Sequence, residues 1–330
     1  MSRAYVKDLK SGDTIDEVYL VSDKQLRANK NGNLYLQADL RDKSGVVTAR
    51  MWNATEALFH SFEMNDYLRV RGKAQIYQGA MQLILSDVQV MDPSRVEAAD
   101  FLPHTLQDID KLLARLREIM LGLTNPHLRA LAEAFLMDDE FVRKFTAAPA
   151  GVKNHHAYVG GLLEHVVNLL EVASRITPFY PQIDRDLLLT GVFLHDVGKI
   201  DELTYQKAFG YSDEGQLIGH LVIGVEYVDR KAAEAEKLTG EPIPDELVLR
   251  LKHMILSHHG TYEFGSPKLP MTLEAVALNQ LDNLDAKIAS FHDQMRDDRD
   301  HSSAWTQYNP SIGRKLFKGA SNGNRASDGE

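Results

Sequence analysis

A histidine followed directly by an aspartate, His195-Asp196, ends an apolar stretch that begins at Leu187. Further histidines and one aspartate flank this pair, and they are His165, His220, His258, His259 and Asp282. Imidazole nitrogen and carboxylate oxygen are the ligands that proteins offer to catalytic zinc, manganese and iron. Two such ions held close together can generate a hydroxide and clamp a phosphate during in-line displacement. The pattern therefore predicts a metal-dependent phosphohydrolase.

This prediction depends on the whole set, because a lone histidine on an apolar helix face is usually a hydrogen-bonded core residue. His165 shares a helix face with Leu162, Val166 and Leu169, so we expect its side chain to point inward. Burying several ionisable groups costs free energy unless each is paired or bound to a cation. A shared metal centre would offset that cost for all of them together.

The order His, His-Asp, His, His, Asp resembles that of the HD-domain phosphohydrolases, and His195–Lys199 is similar to the central signature of that superfamily. Further stretches resemble the YhaM-type 3′-to-5′ exoribonucleases, and they are Asn154–His165, Ile218–His220, Leu256–Gly260, Gly265–Pro267 and Leu281–Ala286. The resemblance covers nearly the whole chain. It implies a multidomain β + α protein, in which an N-terminal OB-type β-barrel precedes an all-α HD-domain helical bundle. It also implies single-stranded RNA as the substrate, with DNA left open.

The resemblance further implies two divalent metal ions that share Asp196. Its carboxylate would bridge the two ions, and no other side chain of the set could replace it. The ligands of the first ion would be His165, His195, Asp196 and Asp282. The ligands of the second ion would be Asp196, His220, His258 and His259. Mn²⁺ is the expected metal, with Fe²⁺, Co²⁺, Mg²⁺ and Zn²⁺ as alternatives. Some relatives bind a third ion through a glutamate one turn before the first histidine, but Gly161 stands there in this chain.

Three residues near these ligands are candidates for direct contact with the substrate. Lys199 could hold a phosphate oxygen, although an ordinary surface lysine fits the sequence nearly as well. His155 and His156 precede the helix that carries His165. They could donate to the leaving group or to a phosphate, or they could simply cap that helix.

The composition is that of a globular protein with two domains. The chain has 330 residues, no cysteine and a net charge of −10, so disulfides and thiolate metal sites are excluded. Residues 1–92 contain twelve basic and twelve acidic residues, so the net negative charge lies entirely beyond them. An apolar signal region is absent at the start, and no later run could span a bilayer, so we expect a cytoplasmic protein.

The N-terminal region alternates apolar and polar residues from Thr14 to Met91, which is typical of half-buried strands. A short helical stretch, Asn53–Phe62, interrupts the pattern after three strands and before two more, which is the order of an OB fold. Such barrels bind single strands on the face of strands 2 and 3. The expected nucleic-acid-binding residues are Tyr35, Arg50 and Trp52, with Lys73 and Tyr77 as weaker candidates. Alternatively, Tyr35 and Trp52 cover barrel surface or dock against the second domain.

The chain is predicted to divide into an OB domain (1–92), a linker with a connecting helix (93–125), an HD domain (126–308) and a disordered tail (309–330). Within the HD domain, helices are predicted at about 126–147, 157–176, 184–197, 219–238, 244–258 and 271–292. No further strand is predicted there.

Two other functions remain open at this stage. The pair His258-His259 followed by Gly265-Ser266-Pro267 is similar to cyclic-dinucleotide phosphodiesterases, but the usual Gly-Tyr-Pro is absent. A non-catalytic OB protein with a structural metal site is the other alternative. The sequence does not predict the oligomeric state.

Overall fold

The computed structural model describes residues 3–152, 156–206, 208–296, 298, 300 and 303–319. Within these residues the chain divides into two compact units. The first comprises Met1–Leu106 and Thr204–Gly210, and the second comprises Gln107–Leu203 and Tyr211–Glu330. None of the helices in the described part of the chain is both long and apolar enough to cross a bilayer.

The first unit is a closed five-stranded barrel. Its strands are β1 (Thr14–Ala28), β2 (Leu34–Asp42), β3 (Gly45–Trp52), β4 (Tyr67–Tyr77) and β5 (Ala80–Val90). They close in the order β1-β2-β3-β5-β4, with β3 and β5 parallel and the other pairs antiparallel. Helix α1 (Glu56–Phe59) follows β3 in the chain. This is the order of the OB fold, and the predicted N-terminal fold is confirmed.

Alternation of apolar and polar residues builds the barrel core. Leu36, Ala38 and Leu40 of β2 are buried, whereas the residues between them are partly exposed. The same alternation predicts that Ile76 of β4 is buried, but Ile76 is 60% exposed. It pairs with Met81 beside the turn of the β4–β5 hairpin, where Met81 still packs against the barrel core but Ile76 does not.

The second unit is helical, as predicted. Its helices are α2 (Ile109–Leu121), α3 (Pro126–Leu136), α4 (Asp139–Ala147), α5 (Gly161–Ile176), α6 (Arg185–Leu194), α7 (Lys199–Glu202), α8 (Asp213–Leu217), α9 (His220–Thr239), α10 (Asp245–Ser257) and α11 (Leu273–Arg296). Between α7 and α8 the chain also forms a small two-stranded sheet of β6 (Leu203–Thr204) and β7 (Gly210–Tyr211). Strands of two residues are too short to produce an alternating pattern, so the sequence did not predict them.

Two predicted helices differ from the observed ones because of local capping. The predicted helix 126–147 is broken into α3 and α4, since the side chain of Asp138 accepts a hydrogen bond from the backbone N–H of Phe141 and starts a new helix. The predicted helix 157–176 begins only at Gly161. Its N-cap Gly160 has a left-handed backbone with φ of 81°, which glycine adopts at little cost.

Helix α6 lies at the centre of the second unit. All its residues from Asp186 to Leu194 are buried, so this helix is apolar on every side. Buried aromatic rings surround its C-terminal half, and Phe193 makes edge contacts with Phe135 and Phe145 at centroid distances of 5.7 Å. His195 and Asp196 follow directly, so the packing of α6 fixes their position.

The predicted tail begins at Asn309, and its residues up to Gly319 are described. Asn309 and Arg314 form an antiparallel bridge, as do Trp305 and Phe317, and Leu316 is buried. The remainder of the predicted tail, residues 320–330, lies outside the described residues.

Candidate metal centre

The seven residues predicted as metal ligands come from five helices and meet at one place in the second unit. They are His165 on α5, His195 and Asp196 after α6, His220 at the start of α9, His258 and His259 after α10, and Asp282 on α11. Their ligand atoms form three overlapping groups, within each of which all atoms lie within 4.8 Å of one another. The groups are His165/His195/Asp282, His195/Asp196/His258 and His220/His258/His259.

Asp196 lies between two halves of this cluster. Its Oδ2 is 3.4 Å from Nε2 of His195 and 3.9 Å from Nε2 of His165. Its Oδ1 is 3.5 Å from Nε2 of His258 and 3.7 Å from Nε2 of His220. One carboxylate therefore presents a different oxygen to each half, which is the arrangement that a carboxylate bridging two ions requires.

The positions of the donor atoms suit coordination of divalent cations better than hydrogen bonding among the side chains themselves. Nε2 of His165 lies 3.3 Å from Nε2 of His195 and 3.3 Å from Oδ1 of Asp282. Among the described residues, Oδ1 of Asp196, Nε2 of His220 and Nδ1 of His259 are buried without a hydrogen-bond partner. Leaving buried polar atoms unpaired costs about 1–3 kcal/mol each. Cations coordinated by these atoms would remove that cost.

Backbone carbonyls orient two of the histidine rings. Nδ1 of His195 donates to the carbonyl of Val192, and Nδ1 of His258 donates to the carbonyl of Ile255, both at 2.8 Å. Each carbonyl belongs to the last turn of the helix that precedes the histidine. With the proton on Nδ1, the Nε2 lone pair faces the centre, as metal binding requires.

Carboxylates orient two other rings in the same way. Nδ1 of His165 lies 2.8 Å from Oδ2 of Asp285, and Nδ1 of His220 lies 2.9 Å from Oε1 of Glu202. Neither carboxylate was predicted from the sequence as a site residue. Asp285 follows Asp282 by one helical turn, which places both acids on one face of α11, and this spacing could have identified it. Glu202 has no comparable signal, because its contact with His220 depends on how α7 packs.

Burial and neighbouring charges set the protonation of the cluster. Burial lowers the pKa of His258. Burial and the neighbouring ring of His258 lower the pKa of His259 to about 4. Both rings are therefore neutral near pH 7. Burial opposes a charge on His165 too, but hydrogen bonds to Asp282 and Asp285 outweigh it and raise the pKa to about 9. The pKa of Asp282 is lowered, since its hydrogen bond with His165 outweighs burial.

Lys199, a predicted phosphate contact, lies against Asp196. Its Nζ is 2.7 Å from Oδ2 of Asp196 and 2.8 Å from the carbonyl of Ala150. Burial disfavours the charge on Lys199, but Asp196 outweighs it and raises the pKa of the lysine. A cavity of about 430 Å³ opens beside this ammonium group, and His220 and Tyr211 are also among the residues that line it.

Of the two histidines before α5, His155 lies outside the described residues. His156 is buried, with Nε2 3.0 Å from Oδ2 of Asp285 and Nδ1 2.7 Å from the hydroxyl of Tyr158. His156 thus shares Oδ2 of Asp285 with His165, and the centroids of the two rings are 5.4 Å apart.

The barrel also brings together most of the residues predicted to bind nucleic acid. Tyr35 and Trp52 are paired across β2 and β3, with ring centroids 5.1 Å apart. The guanidinium of Arg50 lies 5.7 Å from the ring centroid of Tyr77. Lys73 is exposed, and its partner Ile84 on β5 is also the partner of Arg50, so Lys73 and Arg50 share one face of the sheet.

Arg50 is a partly buried cation of this face. Its Nε is buried and has no hydrogen-bond partner within the part of the chain that the structure describes. The exposed side of Trp52, which is 48% accessible, lies on the same face of β3, two residues further along the strand. A guanidinium beside an exposed aromatic pair can contact both a phosphate and a base.

Each of the two units contains residues that match a known protein family model. The family model for the HD domain matches residues 162–287, and the model for the OB-fold nucleic acid binding domain matches residues 20–91. The 3′-5′ exoribonuclease YhaM of Bacillus subtilis (strain 168) is 35% identical over 84% of this chain and 86% of its own length. The chain belongs to the YhaM family. The 3′-5′ exoribonuclease YhaM of Geobacillus sp. (strain WCH70) is also 35% identical, over 84% of this chain and 83% of its own.

The YhaM family assignment confirms the resemblance that the sequence motifs indicated. Among solved structures, the second OB-fold domain of replication protein A from Methanococcus maripaludis aligns with 29% of this chain and all of its own, with 16% identity and a TM-score of 0.23. A replication protein A heterotrimer bound to single-stranded DNA aligns with 28% of this chain and 68% of its own, with 16% identity and a TM-score of 0.22.

Proposed function

We propose that this protein is a metal-dependent 3′-5′ exoribonuclease that shortens single-stranded RNA, with single-stranded DNA as a second substrate to be tested. The observation that carries the proposal is the position of Asp196, whose two oxygens face two separate groups of histidines. Membership of the YhaM family supports the direction of cleavage, because its relatives are named as 3′-5′ exoribonucleases.

We further propose how two divalent cations, with Mn²⁺ as the first candidate, are held. The ligands of one ion are His165, His195, Asp196 and Asp282, and those of the other are Asp196, His220, His258 and His259. When bound, two such cations lower the pKa of water and neutralise charge on the phosphate that is cleaved. The chain contains no cysteine, and the lack of thiolate ligands favours metals that accept nitrogen and oxygen ligands.

The side chains around the ions have distinct tasks in this proposal. Asp196 holds both halves at a fixed separation, since it directly follows the buried helix α6 and its C-cap His195. Lys199 is held in place by Asp196 and the carbonyl of Ala150, and its ammonium group is available at the cavity to a phosphate oxygen. The cavity of about 430 Å³ is large enough to accept a terminal nucleotide. His156 acts on the site through Asp285 rather than by touching the substrate.

The barrel captures the strand in this scheme. Tyr35 and Trp52 stack on bases, while Arg50 and Lys73 contact phosphates and Tyr77 supports the guanidinium of Arg50. Stacking accepts any base, so binding tolerates many sequences. Such tolerance suits an enzyme that removes nucleotides one after another.

The test uses the full chain, stripped with a chelator and reconstituted with Mn²⁺, on RNA labelled at the 5′ end. A ladder of progressively shorter labelled fragments is expected, and it should disappear in Asp196→Asn. Asp245→Asn, which changes an exposed carboxylate on α10, is the matched control and should behave as wild type. Labelled DNA and a cyclic dinucleotide are offered in parallel. Internal cleavage of RNA, or hydrolysis of the cyclic dinucleotide alone, would overturn the proposal.

A further inference from the structure

The C-terminal segment of the second unit displays an exposed aromatic pair. Trp305 and Phe317 face each other across an antiparallel bridge, with ring centroids 5.0 Å apart. Trp305 is 49% exposed and Phe317 is 57% exposed. Two adjacent exposed rings form an apolar patch that could contact a ligand.

Hydrogen bonds and burial hold this pair in place. The backbone N–H of Thr306 donates to the carbonyl of Leu316, and the N–H of Leu316 donates to the hydroxyl of Thr306, both at 2.9 Å. Thr306 and Leu316 are buried, whereas their chain neighbours Trp305, Lys315 and Phe317 are exposed. Alternation therefore places both rings and the ammonium group of Lys315 on the solvent side of the segment.

The charge around the rings favours a polyanion. Residues 303–319 contain Arg314, Lys315 and Lys318 and no acidic residue. Two nearby carboxylates are engaged. Asp298 lies 3.3 Å from Nζ of Lys318 and accepts hydrogen bonds from the backbone N–H groups of Asp300 and Gln307, and Asp300 accepts one from the backbone N–H of Ser303. Arg314 and Lys315 remain exposed beside the aromatic pair.

This arrangement has the same chemistry as the proposed strand-binding face of the barrel. There, an exposed tryptophan pairs with Tyr35 at 5.1 Å beside the cation of Arg50. Here, an exposed tryptophan pairs with Phe317 at 5.0 Å beside the cation of Lys315. We propose that Trp305, Phe317 and Lys315 form a second stacking platform for single-stranded nucleic acid, located in the unit that contains the metal centre. The choice of ligand rests on the proposed function.

The chain contains only two tryptophans, and each belongs to one platform. Trp52→Phe leaves Trp305 as the sole tryptophan, and Trp305→Phe leaves Trp52 as the sole tryptophan. Stacking of a base on an indole quenches its fluorescence, so each variant reports one platform. Both full-length variants are titrated with a phosphorothioate single strand that resists cleavage. Saturable quenching is expected in both, and Trp305→Ala should weaken binding about ten-fold.

Two further variants separate stacking from charge. Lys315→Ala should reduce the slope of log affinity against log salt by about one, since one phosphate contact is lost. Phe179→Ala, which removes an exposed ring from the same unit, is the matched control and should leave affinity and slope unchanged. Hydrolysis of bis(4-nitrophenyl) phosphate is measured with wild type and with Phe179→Ala, in which it should be unchanged. That assay tests the proposed enzymatic function separately from strand binding.

The platform would be overturned by the following pair of results. The single strand quenches the emission of Trp52 in the Trp305→Phe variant, but it leaves the emission of Trp305 in the Trp52→Phe variant unchanged. Emission of Trp305 that depends on protein concentration, together with a dimer in light scattering, would assign this face to contact between two copies of the chain and would equally overturn it. Absence of hydrolysis alongside saturable quenching of Trp305 would contradict the proposed enzyme and leave the platform supported.

Discussion

At the scale of single residues, the metal centre depends on side chains that touch no substrate. Asp285 and Glu202 accept hydrogen bonds from His165 and His220, and they hold the opposite nitrogen of each ring towards the centre. Such outer carboxylates fix the tautomer and increase the basicity of the ligand. Their contribution should appear in metal affinity rather than in folding.

Asp285→Ala is therefore expected to weaken metal binding by about 10- to 100-fold. The physical reason is that His165 loses the acceptor that fixes its tautomer. A metal titration of the stripped protein measures the affinity, and circular dichroism checks the fold. Asp293→Ala, further along the same helix, is the control, because Asp293 pairs with Arg296 and His292, neither of which is a predicted metal ligand. Equal metal affinity in both variants would contradict the assigned task of Asp285.

The pKa of His165 predicts how metal affinity depends on pH. Since its pKa is raised to about 9, the metal-free protein carries a proton there at neutral pH. A cation must displace that proton, so apparent affinity should increase with pH up to about 9, by about ten-fold per unit for one proton. Calorimetry in buffers of different ionisation enthalpy would measure the released proton. Affinity that is flat between pH 6 and 8 would show that His165 is already neutral.

The sequence predicted the inner residues of the centre but not the outer ones. Histidine and aspartate at buried helical positions are conspicuous, because burial of ionisable groups is costly without a partner. Glu202 is an ordinary acid at the end of a four-residue helix, and its contact with His220 arises only from packing. Whether the seven inner residues bind metal remains a prediction.

At the scale of elements, close backbone approaches position the ligands. Gly198 lies where α7 begins against the start of α9, and a Cβ atom there would lie 2.1 Å from the carbonyl oxygen of His220. Only glycine therefore leaves room for the backbone of this candidate metal ligand.

Gly198→Ala should therefore destabilise the fold and disturb the second half of the centre. Overpacking costs about 1–3 kcal/mol, and here the obstacle is backbone rather than a flexible side chain. Thermal unfolding measures the first effect, and metal stoichiometry measures the second. In Gly45→Ala the added methyl group would make an ordinary contact with Val6 at 3.5 Å, so little change is expected. Wild-type stability and stoichiometry in Gly198→Ala would refute this account.

Asp186 joins α6 to the start of α3. Its Oδ2 accepts hydrogen bonds from the N–H of Thr124 at 2.6 Å, the hydroxyl of Thr124 at 2.7 Å and the N–H of Asn125 at 2.7 Å. Burial opposes the charge, but these hydrogen bonds outweigh it and lower the pKa below 3.8. The stabilisation is thus present above pH 3.8 and is lost as pH falls through the lower, folded-state pKa.

Asp186→Asn should accordingly lower the free energy of unfolding by about 2 kcal/mol at pH 7. The difference from wild type should persist at pH 5 and shrink only below pH 3.8. Urea unfolding of both proteins at several pH values provides the measurement. Asp184→Asn, which alters the N-cap of α6, is a useful comparison, since it affects one helix and not the junction. A difference that vanishes already between pH 7 and 5 would show that another group is responsible.

The spacing of apolar residues predicted the helices and strands that have a strong pattern. It failed where local hydrogen bonds determine the end of a helix. Leu36, Ala38 and Leu40 follow the strand period and are buried as expected. The helix break at Asp138 escaped prediction because the apolar pattern continues on both sides, and only a side-chain cap interrupts it.

At the scale of the whole molecule, charge and binding surfaces are unevenly distributed. Residues 1–92 carry balanced charge, so the remainder carries the entire net charge of −10. A negatively charged catalytic unit attracts RNA poorly at a distance. We therefore expect aromatic stacking and local cations to determine the affinity for long substrates.

Trp52→Ala should weaken binding of a long single strand by about ten-fold, because a stacked base contributes roughly 1–3 kcal/mol. Turnover of a very short substrate should be nearly unchanged. Fluorescence anisotropy with a long labelled strand, and initial rates on a trinucleotide, give the two values. Tyr180→Ala removes an exposed ring of the second unit as the control. Equal losses on long and short substrates would place Trp52 outside the strand-binding path.

The hydrogen bonds behind the histidines also predict how this centre tolerates mutation over evolutionary time. In each half, one ring is held by a backbone carbonyl, which every amino acid supplies, and another ring is held by a carboxylate. Replacing Val192 or Ile255 by another apolar residue leaves the carbonyl in place, so the hydrogen bond tolerates any apolar side chain that the buried core accepts. Losing Asp285 or Glu202 releases one ring and leaves its neighbour oriented. Damage to the centre should therefore be graded, and weakened lineages retain a partly formed site from which function can be regained.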